Sequence, residues 1–217
     1  MEQHFLCLKY FLYFYHNILG TKRVVEYAKK NGVSVEAELG TVGGTEDGVV
    51  VDQKDVCYTD SQDAVEFVKQ TGIDAFAVAI GTNHGQYKSK TNINFERLKE
   101  IKEVIDIPLV IHGGTGVKEE DVKKVINLGI RKFNVGTELL VGWNKKAKEC
   151  YDKNKENISN RENVVPCLNT IDEIVERKIN VFFFDSSTPM NDKWNIKTSL
   201  ISFSLSKLIF VFDLYCP

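Results

Sequence analysis

Leu109-Val110-Ile111-His112-Gly113-Gly114-Thr115-Gly116 is the stretch on which the reading of this chain turns. An apolar run ends in a histidine and a glycine-rich turn, and the helical rhythm of Glu119 to Asn127 follows, which makes a strand, turn and helix in succession. The same grammar continues downstream: Ile130 to Val135 is apolar, closes in Asn134-Val135-Gly136-Thr137, and gives way to a helical stretch from Glu138 to Tyr151. Upstream, Ile73 to Ile80 runs into Gly81-Thr82-Asn83-His84-Gly85, and Val33 to Leu39 carries Glu36 and Glu38. Helices are expected at Lys22 to Lys30, Ser61 to Gln70 and Phe95 to Val104, the last with Phe95, Leu98, Ile101 and Val104 at three-residue spacing. Strands alternating with helices predict an α/β chain built on a parallel sheet. Gly32, Gly72 and Gly129 stand just past three helix ends, where a left-handed turn suits a residue without Cβ.

The residues able to do chemistry gather at the carboxyl ends of these runs: Glu38, His84, His112 and Asn134. Ligand sites of α/β folds lie at that end of the sheet. His84 and His112 are two of four histidines. They are compatible with polar residues satisfied at the sheet end, or with neutral imidazoles that bind a divalent metal, zinc being the usual partner. Glu36 and Glu38 share one face of their strand, with Ala37 on the other. Acids at strand ends also serve solubility alone. Gly113 to Gly116 before a helix offers backbone amides suited to a phosphate, or is simply a tight turn; Asn134 to Thr137 repeats the arrangement one strand on. The stretch Gly40 to Tyr58, with Gly43, Gly44, Glu46, Asp47 and Gly48 near its tip, reads as a long loop without structure of its own. Such loops are commonly lids, which makes Glu46 a candidate base.

The 217 residues are 43% apolar and 27% charged, which excludes disorder and a fibre. With 28 basic against 30 acidic residues, no cationic excess exists to hold a nucleic-acid backbone, so a small partner is expected. Cys7, Cys57, Cys150, Cys167 and Cys216 form no Cys-x-x-Cys pair, and a reduced, cytoplasmic setting is expected. Phe5 to Leu19 is apolar but carries Lys9 and His16 and is not read as a signal peptide. Leu200 to Cys216 is broken by Lys207 and Asp213 and falls short of the roughly 20 residues of a membrane span. Residues 1–20 and 186–217 stand outside the strand–helix pattern; Asn154 to Asn163 reads as a solvated connector and Val165 to Arg177 as a helix.

Four motifs in order, VSVEAELGTVGGTEDG, GTNHGQYK, LVIHGGTG and KFNVGTEL, resemble the class II ketose-bisphosphate aldolases, with the match extending from about Thr21 to Phe184. The resemblance implies a zinc-dependent (β/α)8 barrel that cleaves fructose or tagatose 1,6-bisphosphate to dihydroxyacetone phosphate and glyceraldehyde 3-phosphate, an aldehyde-lyase. Carried over by motif, His84 and His112 are implied zinc ligands, with Glu38 near an alternative metal position. Gly85, Lys88, Gly113, Gly114 and Thr115 match the phosphate-holding region, and Asn134, Val135, Gly136 and Thr137 the part that meets dihydroxyacetone phosphate. Glu46 matches a loop glutamate implicated in proton transfer. Gly136 leaves the two ketose bisphosphates undistinguished.

The family's remaining zinc ligand is a histidine that follows an aspartate, the aspartate being a proton donor and acceptor. No Asp-His pair occurs in the sequence. The chain is therefore expected to be a partial barrel holding the last four βα units in residues 21–185, between unrelated segments 1–20 and 186–217. Its sheet edges predict self-association or pairing with a complementary half-barrel. The alternative expectation is an inactive remnant that binds sugar phosphate or assembles with another chain.

Overall fold

The computed structural model describes residues 2–46, 49–52, 55–85, 91–156, 159–182 and 210–213. In order, the elements are α1 (Glu2–Lys30), β1 (Glu36–Leu39), β2 (Gly43–Glu46), β3 (Val49–Val51), α2 (Ser61–Thr71), β4 (Ala75–Val78), β5 (Asn83–His84), α3 (Phe95–Val104), β6 (Leu109–Ile111), α4 (Glu119–Asn127), β7 (Ile130–Val135), α5 (Thr137–Lys153), α6 (Asn160–Phe182) and β8 (Phe210–Asp213). The main sheet has the order β1-β4-β6-β7-β8. Its first four strands are parallel, and β8 pairs antiparallel to β7. This is an α/β fold on a parallel sheet, as the alternation of runs predicts. The rest of segment 186–217 lies outside the described residues.

Side-chain size sorts the two faces of the sheet. Strand β4 and its extension read Ala75-Phe76-Ala77-Val78-Ala79-Ile80, alternating small with large. Phe76, Val78 and Ile80 point with Leu39, Leu109, Ile111 and Phe133 into the core beneath the helices. That core also takes Ala64 and Phe67 of α2, Leu98 and Ile101 of α3, and Val122 and Val125 of α4. Burying each large side chain contributes about 1.5–3 kcal/mol. The opposite face is left to Glu36 and Glu38 on β1, the alanines of β4, and Lys132 and Asn134 on β7. Alanines on β4 leave room for long side chains from β1 and β7 to meet above it.

Local chemistry sets the helix ends. Asp60 caps α2 by accepting from the Gln62 and Asp63 amides, and Gly72, at φ 66°, closes it by donating to the Val68 carbonyl. Asn94 caps α3 through the Arg97 amide.

Three expectations are revised. The helix expected from Lys22 runs from Glu2, straight through residue 20. Its stripe of Phe14, Ile18, Val25 and Ala28 is buried, and the Phe14 ring lies 6.4 Å from that of Phe67. Exposed Tyr13, Leu19 and Tyr27 hide this stripe in the sequence. The supposed loop Gly40 to Tyr58 contains a hairpin: β2 pairs antiparallel with β3 and parallel with β5, forming a second, three-stranded sheet. β-branched Val49, Val50 and Val51 supply the returning strand, and a Thr41–Cys57 bridge closes the base. The connector Asn154 to Asn163 is exposed at residues 155, 156 and 159–162, as expected of a solvated stretch, but the helix expected from Val165 already starts at Asn160, and buried Asn163 accepts from the Asn154 amide at 3.1 Å. Cys57, Cys150 and Cys167 are free thiols, and no helix among the described residues is long and apolar enough to cross a membrane.

Candidate active site

Glu38, His84 and His112 come from three different strand ends, yet they offer ligand atoms that all lie within 4.8 Å of one another. Glu38 stands on β1, His112 one residue past β6, and His84 on the short β5 of the second sheet. The two imidazole rings have centroids 6.2 Å apart at an interplanar angle of 66°. The pairing of β2 with β5 is what brings His84 there. Gly44, at φ 103°, faces His84 across that pairing, where a side chain would collide with the His84 carbonyl. Gly113, at φ 69°, lets the turn after His112 pass against the backbone of Asn83, the residue before His84. Both histidines are thus fixed by glycine-permitted backbone contacts.

A chain of side chains backs His112. Its Nε2–H donates to Glu36 Oε1 at 2.9 Å, and Glu36 Oε2 accepts from Lys132 Nζ at 2.5 Å. The other ring nitrogen, Nδ1, lies 3.6 Å from Glu38 Oε2, beyond hydrogen-bond range. All four groups are mostly shielded, with side-chain exposures of 21% for His112, 23% for Glu36, 29% for Glu38 and 14% for Lys132. Burial by itself would lower the His112 imidazole, but the Glu36 hydrogen bond and the charge of Glu38 outweigh it and raise the pKa above the ordinary value. For Glu36, burial pushes up, while the hydrogen bonds from His112 and Lys132 and their charge prevail and hold its carboxyl below the usual range. The pattern favours positive charge around His112.

Two imidazoles and one carboxylate are a donor set suited to a zinc ion. The residues present therefore fit the metal that the resemblance implies. Glu36 completes the usual arrangement in which a ligating histidine gives its second N–H to a carboxylate. Lys132 went unnoticed in the sequence, although a lysine alternating with Phe133 and Val135 in a buried strand is a usable signal.

The expected phosphate turns are tied to one another. The Gly114 amide donates to the Asn134 carbonyl at 2.9 Å, so it is engaged within the protein, and the Thr115 hydroxyl accepts from the Glu138 amide at 3.2 Å. Asn134 Oδ1 is buried without a hydrogen-bond partner among the described residues. Val135 points into the core, and Gly136 and Thr137 open α5. Gly85, at φ 81°, follows His84 directly. Lys88 lies outside the described residues, as do Asp47, Gly48 and the side chain of Glu46, whose backbone ends β2.

A model of the family described as "Fructose-bisphosphate aldolase class-II" matches residues 12–186. The chain is 42% identical over 166 residues to the 6-phospho-5-dehydro-2-deoxy-D-gluconate aldolase of Bacillus velezensis, covering 76% of this chain and 56% of that protein. Among solved structures, the YdjI aldolase of Escherichia coli K12 superposes with a TM-score of 0.64 at 34% identity, over 81% of this chain and 59% of that one. The fructose-bisphosphate aldolase of Campylobacter jejuni gives a TM-score of 0.61 at 19% identity, over 78% of this chain and 56% of that one, a likeness of fold. The chain thus spans between half and two thirds of the length of these relatives.

Proposed function

The chain belongs to the class II fructose-bisphosphate aldolase family, and from that premise we propose that it is a zinc-dependent aldehyde-lyase centred on Glu38, His84 and His112. The observation that carries this reading is the convergence of those three ligand atoms at the carboxyl ends of the strands. Zinc held there would supply a Lewis acid for the ketone oxygen of a phosphorylated ketose. The protein's own groups do the rest. Asn134 Oδ1, a buried acceptor, takes a substrate hydroxyl proton as a hydrogen bond. The turn at Gly113 and Thr115, ahead of α4, and the one at Gly136 and Thr137, at the α5 N-terminus, meet the phosphate. Gly85 and Lys88 complete its binding on the segment after β5. Glu46, at the end of a hairpin strand, moves the proton.

The substrate class is a ketose phosphate. Fructose and tagatose 1,6-bisphosphate, yielding dihydroxyacetone phosphate and glyceraldehyde 3-phosphate, are the first candidates. The name of the Bacillus relative adds a phosphorylated dehydro-deoxygluconate. The consecutive order β1-β4-β6-β7, all parallel, is that of neighbouring strands in a barrel wall. The chain accordingly forms part of a (β/α)8 barrel, completed by a second copy or a complementary half, and works in the cytoplasm. In a second reading these 217 residues, which contain no Asp-His pair, bind sugar phosphate or assemble with another chain without turnover of their own. A site without a general acid–base group is slower by about 10²- to 10⁴-fold.

A coupled assay that traps dihydroxyacetone phosphate, run on each of the three substrates with and without chelator, tests the proposal. Cleavage abolished by chelator and restored by zinc supports the lyase. Zinc and dihydroxyacetone phosphate binding without cleavage supports the second reading. Neither binding nor cleavage refutes both.

A further inference from the structure

We propose that Glu36 and Lys132 are positioning residues that fix the tautomer and the tilt of His112, so that Nδ1 and not Nε2 is the atom presented to the metal. The inference rests on the metal reading above and assigns a job to two residues which that reading leaves without one.

The two ring nitrogens of His112 have different surroundings. Nε2 sits 2.9 Å from Glu36 Oε1, a good hydrogen bond, whereas Nδ1 is 3.6 Å from Glu38 Oε2, which is none. A carboxylate can only accept, so in the neutral ring, the form that binds a metal, the single proton lies on Nε2 and the lone pair on Nδ1. That lone pair faces Glu38, the residue with which His112 and His84 form the three-ligand cluster. A lone pair and a carboxylate oxygen at this distance repel one another unless a cation lies between them.

Glu36 could not hold the ring alone. Its carboxylate has several rotamers, and its two oxygens are equivalent until something distinguishes them. Lys132 Nζ, 2.5 Å from Oε2, makes that distinction and leaves Oε1 for the imidazole. The lysine reaches Glu36 from β7, across β6 and β4, because β4 presents Ala77 on this face. With a side-chain exposure of 14%, Lys132 is too well shielded to be an ordinary solvated lysine. A carboxylate behind a ligating histidine raises its basicity and fixes its direction, and loss of such a partner weakens metal binding about 10- to 100-fold.

Zinc affinity of the whole chain is measured by competition with a chromogenic chelator for the parent, Glu36→Gln, Lys132→Met, the double variant and Lys132→Arg. Circular dichroism and thermal melts accompany each. The His112 tautomer is read in the metal-free parent, at alkaline pH, from NMR correlations between ring nitrogens and ring protons. Expected are an Nε2-protonated ring, zinc binding weaker by about 10- to 100-fold in both single variants, a double variant no worse than the worse single one, and recovery in Lys132→Arg, whose guanidinium also pairs with a carboxylate. Parent-like zinc binding in folded Glu36→Gln and Lys132→Met overturns the inference, as does an Nδ1-protonated ring in the parent. Should a variant unfold, the parent's tautomer decides. A parent that binds no zinc overturns the metal reading, and this inference with it; a parent that binds zinc with unaffected variants overturns this inference alone.

Discussion

Replacing Gly113 by alanine tests the link between the sheet and the metal centre. Gly113 has φ 69°, and a β-carbon there would press on the carbonyl of Asn83 and lie 3.2 Å from its nitrogen. The left-handed conformation costs a residue with Cβ about 1–2 kcal/mol. Forcing a methyl against backbone adds about 1–3 kcal/mol, since peptide atoms cannot rotate away as a flexible side chain would. Reduced freedom of the unfolded chain returns about 0.4–1 kcal/mol. The net expectation is a loss of about 1–5 kcal/mol, the difference of those terms. The contact is relieved most easily by displacing β5, whose two residues are Asn83 and His84. Zinc affinity should therefore fall together with stability. Urea unfolding of Gly113→Ala and the parent gives the first quantity, and chelator competition gives the second. A variant within about 0.5 kcal/mol of the parent, the range of neutral surface changes, with parent-like zinc binding, would refute the contention that this turn sets the position of His84.

Four further outcomes follow from the structure. Phe67→Ala, at a fully buried ring packed on Phe14 and Phe76, should cost about 3–5 kcal/mol in urea unfolding; a loss below about 1 kcal/mol would mean α1 and α2 do not share a core with the sheet. Asp60→Ala should cost about 1 kcal/mol at neutral pH through loss of the α2 cap, measured in the same way. Its pH dependence has a definite sign: slight burial pushes the Asp60 carboxyl up, but the amides of Gln62 and Asp63 and then Arg97 lower it below the ordinary value. The contribution is thus present above the unfolded value, about 3.9, and lost as pH falls through the lower folded value, so parent and variant should converge in acid; a gap that widens there contradicts the assignment. Ala77→Leu should separate Lys132 from Glu36 above β4 and weaken zinc binding more than it disturbs far-ultraviolet circular dichroism, whereas unchanged affinity would show that the alanine face is not needed by the site.

The extent to which the site can be read from sequence depends on how far each contact travels along the chain. The bounds of α3, α4 and β7 agree with the expected runs Phe95 to Val104, Glu119 to Asn127 and Ile130 to Val135. In each, period and punctuation coincide, as with Asn94 at the head of α3. The parallel order of the strands follows from the alternation of elements. The earlier part of α1 is obscured in the sequence because neighbouring aromatic residues take opposite environments, Tyr13 exposed and Phe14 buried. Glycines disguised the hairpin as a lid, since Gly43 and Gly44 read as loop residues unless the strand they approach is known. Glu36 and Glu38 could be placed on one face from alternation alone. That Lys132, 96 residues away, completes the set is a matter of which strands stand three apart in the sheet, with β4 and β6 between them, and no local pattern carries that information.

Anomalous diffraction at the zinc edge from crystals of the zinc-loaded chain is the most direct test of the metal centre. One zinc per chain, bound by an imidazole nitrogen of His84, Nδ1 of His112 and a carboxylate oxygen of Glu38, is the result expected. Zinc at another place, or imidazoles of His84 and His112 turned to opposite sides of the sheet, would contradict it.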